Sequence, residues 1–224
     1  MNLHTERYFR KKGYKIIIGI DEAGRGPLAG PVTTAAVMID FNHFLKNASS
    51  EERRKFRRIL RITKDSKKLS PKNRKLIFQL AQTISFIKFS YSSVGPKVID
   101  KINIERATKK AMKNCLQKLN LSPRFYSKSI LLIDGNKILD RNLPFRQKTI
   151  VKGDNKIFSI ALASIIAKYI RDQKMIRLAN RFPQYKFEKH KGYGTQLHLH
   201  LLKKYGVCPL HRRSYKPIYN LLSN

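Results

Sequence analysis

Two adjacent carboxylates, Asp21 and Glu22, close the apolar run Ile16-Ile17-Ile18-Gly19-Ile20 and lead into a loop punctuated by Gly24, Gly26, Pro27, Gly30 and Pro31. A second apolar run, Ile130-Leu131-Leu132-Ile133, ends on Asp134 followed by Gly135, and Asp154 follows Lys152-Gly153 just ahead of a helical stretch. Taken singly these acids have ordinary explanations. An Asp after an apolar run often starts a turn, and Asp154 could cap the helix behind it. Taken together, in a chain with 14 Asp plus Glu against 48 Lys plus Arg, they point to a shared hard cation. Such an ion takes oxygen ligands and bridges carboxylates to phosphate, and it relieves the repulsion between neighbouring acids. Two-metal phosphoryl chemistry uses carboxylates in this way, holding ions about 3.5–4 Å apart.

The loop segment Gly24-Arg25-Gly26 lacks the Gly-Lys-Ser/Thr ending of a P-loop, so nucleoside triphosphate binding is not expected. Glycines beside a metal site let backbone groups approach a ligand closely. A sugar 2′-hydroxyl, donor and acceptor at once, would suit them and distinguishes RNA from DNA. An ordinary tight turn explains the same residues equally well.

The formal charge of +34 makes a polyanion the favoured partner, and ten Tyr with twelve Phe offer stacking surfaces for nucleic acid. Charge alone fits a structural nucleic-acid-binding protein as readily as an enzyme. Cys115 and Cys208 fall in no Cys-x-x-Cys or zinc spacing, so a reducing compartment is expected, with Cys115 a core thiol. The N-terminus has no apolar leader pattern and no run nears about 18 apolar residues, so neither export nor membrane insertion is expected and the cytoplasm is the expected site.

The elements that must position the acids follow from periodicity. Residues 1–15 read as a polar lead-in. Strands are expected at 16–21, 32–39, 84–94, 130–133 and 149–151. The connection 41–64 is charged, and from Glu51 to Lys64 it reads as a solvated basic helix. Ser70-Pro71 pairs a capping hydroxyl with Pro at the first helical position. Ile104, Ala107, Thr108, Ala111, Met112, Cys115 and Leu116 form one apolar stripe of a helix beginning near Asn103. A further helix spans about 158–174, and the basic remainder is helical around the loop His190-Lys191-Gly192-Tyr193-Gly194-Thr195. This alternation favours an α/β fold, a mixed sheet covered by helices.

The motifs resemble the type 2 ribonucleases H, the bacterial ribonuclease HII family. The resemblance runs through Gly19 to Val32, Asp65-Ser66-Lys67-Lys68-Leu69-Ser70, Asn103-Ile104 with Ala107-Thr108, Ile133-Asp134-Gly135-Asn136 and Lys152-Gly153-Asp154. It continues in order through Ser159 to Asp172, His190 to Thr195 and His211-Arg212-Arg213-Ser214, covering about residues 15–217. It implies a ribonuclease H-like α/β fold with a helical C-terminal portion, so that 16–224 would be one catalytic domain with a basic segment from about 175. It also implies endonucleolytic cleavage of RNA in RNA–DNA hybrids and at single ribonucleotides in DNA, 5′ to the ribonucleotide, leaving 3′-hydroxyl and 5′-phosphate ends. Asp21, Glu22, Asp134 and Asp154 match the acidic set that binds Mg²⁺ or Mn²⁺. Gly24, Arg25 and Gly26 match the segment that reads the 2′-hydroxyl, and Tyr193 the tyrosine that packs on the neighbouring deoxyribose. Lys67, Lys68, Arg212 and Arg213 lie in matching basic motifs, and phosphate contact is expected of them from charge.

Type 3 ribonucleases H carry an additional N-terminal domain and usually a lysine in the glycine loop. With 18 residues before Gly19, and Arg25 in the loop, type 3 is disfavoured. A structural binding protein would leave the placed acids unexplained. A monomer is expected, and no protein partner is read from the sequence.

Overall fold

The computed structural model describes residues 1–63 and 69–223. Five strands, β1 (Ile16–Ala23), β2 (Val32–Asp40), β3 (Ile87–Val94), β4 (Ser129–Asp134) and β5 (Arg146–Ile150), form one sheet in the order β3-β2-β1-β4-β5. β1 pairs antiparallel with β2 and parallel with β4, and β4 is parallel to β5. The expected mixed sheet is therefore present, with helices on both faces. The register pairs Ile20 with Ile133. One step further along these parallel strands stand Asp21 and Asp134, which must share a face because registered residues point the same way. The sheet thus brings together two acids far apart in sequence.

Alternation divides the apolar side chains of β1 between two cores. Ile17 faces α6 (Phe158–Ala179), packing with Ile130, Leu132, Ile160 and Ala163. Ile18 and Ile20 face α5 (Pro96–Leu119), with Met112, Cys115 and Leu116. The first half of α6, Phe158 to Ala167, is apolar on nearly every side, as a helix segment buried among other elements must be. It lies directly on β1, where a Cβ built on Gly19 would stand 2.2 Å from the Ser159 carbonyl carbon. Gly19→Ala should therefore push α6 off the strand that carries Asp21. A loss of about 3 kcal/mol in urea unfolding is expected, and an unchanged midpoint would show that the contact yields freely.

Several elements differ from expectation. Residues 1–15 contain α1 (His4–Lys11), with Leu3 and Phe9 in the core and Glu6 buried. Glu6 Oε1 accepts from the Ser159 amide at 2.9 Å, satisfying an orphan donor at the start of α6. The 41–64 connection holds α2 (Phe41–Lys46) and α3 (Ser50–Ile62). α3 is basic as expected, but it buries Phe56 and Ile59 and starts with a Ser49–Glu52 capping box. α4 (Pro71–Gln82) has the expected Ser70 cap. β3 begins at Ile87, because Ile84 and Phe86 are buried in the turn ahead of it.

α5 starts at Pro96 and breaks at Asn103, which has φ 64° and ψ 167°. Asn103 Oδ1 accepts from the Arg106 amide at 3.0 Å, so the expected start is an N-cap inside a longer element. Cys115 is a buried thiol, 3.0 Å from Thr34 Oγ1. The C-terminal part holds α7 (Phe187–His190), α8 (Gln196–Tyr205) and α9 (Lys216–Leu222). Among the described residues no helix is long and apolar enough to cross a membrane. Lys67 and Lys68 lie outside the described residues.

Candidate active site

Strand geometry separates the adjacent pair Asp21 and Glu22 more than their spacing suggested. Asp21, 5% exposed, points to the α6 side and accepts the Glu22 amide on Oδ1 at 2.7 Å. Burial pushes its carboxyl well above the usual range, Glu22 and then Asp134 add to this, and Ser164 on α6 works the other way. Glu22 stands at the lip, ion-paired to Arg25 Nη1 at 3.3 Å. Its carboxyl is raised by burial, lowered by Arg25 and raised again by Asp134. Asp134 Oδ1 accepts from the Gly153 amide at 2.7 Å, which draws the segment after β5 against β4. Burial raises Asp134 first, and Asp154 adds to it. The four acids thus form a chain of mutually repelling charges at the C-terminal ends of the inner strands β1 and β4 and in the turn beyond β5. The turn Gly153–Asn155 holds Asp154, while the N-cap of α6 is Ile157, so Asp154 is not the cap of that helix.

Glu22 borders two hollows. On the α5 side it is joined by Asp134, Thr108 and Met112. On the α6 side it is joined by Gly24, Asp154, Arg74, Lys168 and Tyr193, so acids, loop, cations and aromatic ring meet in one cleft. Lys168 Nζ and Arg74 Nη2 both contact Asp172, at 2.7 and 3.4 Å, which orients two cations at that wall. Neither was anticipated as a cleft residue, although Lys168 is the first charged residue after the apolar first half of α6.

The β1–β2 loop is clamped by the C-terminal segments. Leu28 N donates to Gly192 O, Gly30 N to Leu210 O and Arg212 N to Leu28 O, each at 2.8 Å. Gly24 has φ +93°, and a Cβ there would meet Arg171 Nε at 1.9 Å, so only glycine fits. Gly26 has open space where its side chain would be. Arg25 is half-exposed on the lip. Arg213 is exposed and its amide donates to Asp100. Arg212 departs from the expectation of phosphate contact: it is fully buried and its guanidinium donates to backbone carbonyls of the loop.

Tyr193 is 41% exposed, with Lys168 Nζ at 5.5 Å and Arg171 Cζ at 5.6 Å from its ring centroid. Its backbone rests on a buried histidine relay that spacing did not reveal. The Cys208 amide donates to His211 Nδ1 at 2.9 Å, which puts the His211 proton on Nε2. That nitrogen faces His198 Nε2 at 3.1 Å, leaving His198 Nδ1 to donate to the Tyr193 carbonyl at 2.9 Å. Burial first, and neighbouring histidines second, lower both rings from 6.5 to about 4. The unfolded chain therefore takes protons that the folded chain refuses, so stability falls as pH drops from about 6.5 towards about 4. Urea midpoints across that window should fall in the wild type and fall less steeply in His198→Gln. A midpoint flat with pH would overturn the neutral assignment.

A mixed five-stranded sheet flanked by helices, with acids side by side on two neighbouring parallel strands, defines a fold of the ribonuclease H-like class. The pattern of the family described as Ribonuclease HII matches residues 18–218. Ribonuclease HII of Caldicellulosiruptor bescii is 46% identical over 224 residues, covering 97% of each chain. That of Rickettsia akari is 45% identical over 210 residues, covering 93% of this chain and 96% of its own. Among solved structures, ribonuclease H2 from Pyrococcus horikoshii superposes with a TM-score of 0.71 at 24% identity, covering 93% of this chain and 97% of its own, a likeness of fold. Ribonuclease HII from Archaeoglobus fulgidus, solved in complex with PCNA, gives 0.64 at 28% identity over 92% of this chain and 96% of its own. The chain belongs to the ribonuclease HII family, and its activity is that of an endoribonuclease.

Proposed function

We propose that the chain hydrolyses the phosphodiester on the 5′ side of a ribonucleotide, leaving a 3′-hydroxyl and a 5′-phosphate. The substrates are RNA–DNA hybrids and single ribonucleotides embedded in duplex DNA. The observation that carries this reading is the register of β1 and β4, which sets Asp21 beside Asp134, next to Glu22, which borders a cleft with Gly24, Asp154 and Tyr193. The donor set is all carboxylate oxygen, and burial with mutual repulsion raises Asp21, Glu22 and Asp134 together, a strain that a cation relieves. Among the described residues no three His, Cys, Asp or Glu side chains close a cage around one point. The all-carboxylate donor set fits Mg²⁺ or Mn²⁺ held by one or two carboxylates and completed by water and substrate phosphate.

In this reading Asp21 and Asp134 hold the ions from the sheet, with Glu22 and Asp154 flanking them. When bound, the ions would activate the attacking water and neutralise charge on the leaving oxygen. The remaining work belongs to the chain itself. Gly24, Arg25 and Gly26 present backbone to the ribose 2′-hydroxyl, with the loop held by its contacts to residues 192, 210 and 212. Tyr193 packs on the following deoxyribose. Lys168 and Arg74 steer the phosphate strand along the cleft wall, and the +34 charge holds the duplex without regard to sequence. The catalytic domain includes α1, whose Phe9 packs into the same core as β1 and α6, and it acts as a monomer in the cytoplasm.

The test is cleavage of a DNA duplex carrying one ribonucleotide, with and without Mg²⁺. A Mg²⁺-dependent cut on its 5′ side is expected. Metal-independent cleavage, or a 2′,3′-cyclic phosphate end, would overturn the reading, because the latter requires the 2′-hydroxyl as nucleophile.

A further inference from the structure

The two largest fully buried side chains are arginines, Arg171 on α6 and Arg212 beyond α8. Burying a guanidinium is unfavourable unless its donors are met, and a carboxylate is the usual partner. Among the described residues neither arginine forms an ion pair with a carboxylate. Both direct donors at one stretch of backbone, although Arg171 Nη1 is buried without a partner among the described residues. Arg212 donates from Nη2 to Gly24 O at 2.6 Å, from Nη1 to Arg25 O at 2.7 Å and from Nε to Gly30 O at 3.0 Å. Arg171 donates from Nε to Pro31 O at 2.9 Å and from Nη2 to Ala29 O at 3.2 Å. Tyr215 accepts from Arg212 Nη1 and donates to the Arg25 carbonyl.

Five carbonyls of the segment 24–31 are thereby turned into the protein. The amides of Gly24, Arg25 and Gly26 have no hydrogen-bond partner among the described residues. A loop rich in glycine has no intrinsic shape. This one is held from below by a planar fork that only arginine supplies. We infer that Arg212, with Tyr215 and Arg171 beside it, is the positioning group that sets the Gly24-Arg25-Gly26 loop in its ribose-reading conformation. Discrimination between ribose and deoxyribose is then governed from the C-terminal segment rather than by the side chain of Arg25. This rests on the proposal that the loop faces the 2′-hydroxyl.

The experiment compares affinity for a duplex with one ribonucleotide against the all-DNA duplex of the same sequence, in EDTA so that nothing is cut. Arg212→Lys can reach one carbonyl at a time, and Tyr215→Phe removes one hydroxyl while keeping the ring. The ratio of the two affinities should fall about tenfold in Arg212→Lys and about threefold in Tyr215→Phe, with all-DNA binding and thermal unfolding of Tyr215→Phe unchanged. A merely structural role would weaken both duplexes alike and leave the ratio intact, which would overturn the inference. Gly26→Ala, placing a methyl in the open space above the loop, separates the two claims. If it collapses the ratio while Arg212→Lys and Tyr215→Phe do not, the positioning role is wrong. If Gly26→Ala leaves the ratio at the wild-type value, the loop does not face the ribose and the underlying reading fails.

Discussion

Asp134→Asn is expected to slow cleavage on the order of 10³-fold with Mg²⁺, corresponding to ~4 kcal/mol of transition-state stabilisation, while binding substrate as well as the wild type or better. The asymmetry follows from what the carboxylate does in each state. In the free protein it stands beside Asp21 and near Asp154, its ionised form disfavoured by burial and by those charges. Replacing it with an amide keeps an acceptor for the Gly153 amide and removes a negative charge from the path of the phosphate strand. The same change should raise the melting temperature at neutral pH. A carboxyl raised in the folded state contributes stability below its unfolded value and loses it as pH rises through the folded value. The variant escapes that loss. Added Mg²⁺ should raise the melting temperature of the wild type more than that of Asp134→Asn, because binding to the folded state alone stabilises it. Near wild-type turnover with Mg²⁺ would remove Asp134 from the metal site, whatever the melting curves show.

The acids were legible because they break a pattern: apolar runs that end on a carboxylate in an acid-poor chain are visible without coordinates. Their convergence was not, since it depends on β1 and β4 being parallel neighbours in register, a non-local fact. The reading of Asp21 and Glu22 as a pair bracketing one cation underestimated the alternation of the strand, which turns Asp21 towards α6 and leaves Glu22 at the lip. α1 escaped notice because its two core anchors, Leu3 and Phe9, are outnumbered by charged residues that face solvent. Asn103 signalled a helix start truthfully: its non-helical backbone separates the helix that follows it from a short helical stretch beginning at Pro96.

Arg212 shows the limit of arguing from charge. In a chain with 48 basic residues, nothing local distinguishes a phosphate ligand from a guanidinium buried against carbonyls. The relay through His198 and His211 was equally invisible, because its members are joined by stacking and by a loop rather than by spacing.

Tyr193→Ala should lose cleavage at an embedded ribonucleotide about ten- to a hundredfold more than cleavage of a long hybrid, a difference of ~1.4–3 kcal/mol in the range of base and sugar stacking on an aromatic ring. The ring is 41% exposed, yet its backbone is fixed on both sides, the amide donating to His190 O and the carbonyl accepting from His198. An aromatic group held in that way, with two cations against its ring, is a preformed platform rather than a stray surface residue. At a single ribonucleotide the next sugar is always deoxyribose, so the platform meets the junction in every productive complex. On a long hybrid it meets ribose, whose additional hydroxyl gains little from close packing, and its removal matters less. The phenol hydroxyl makes no hydrogen bond among the described residues, so Tyr193→Phe should keep the wild-type ratio of the two activities. Steady-state cleavage of both substrates by the two variants decides the matter. If Tyr193→Ala retains the wild-type ratio, the ring is a structural aromatic over Lys168 and Arg171, and the junction is recognised elsewhere along the cleft.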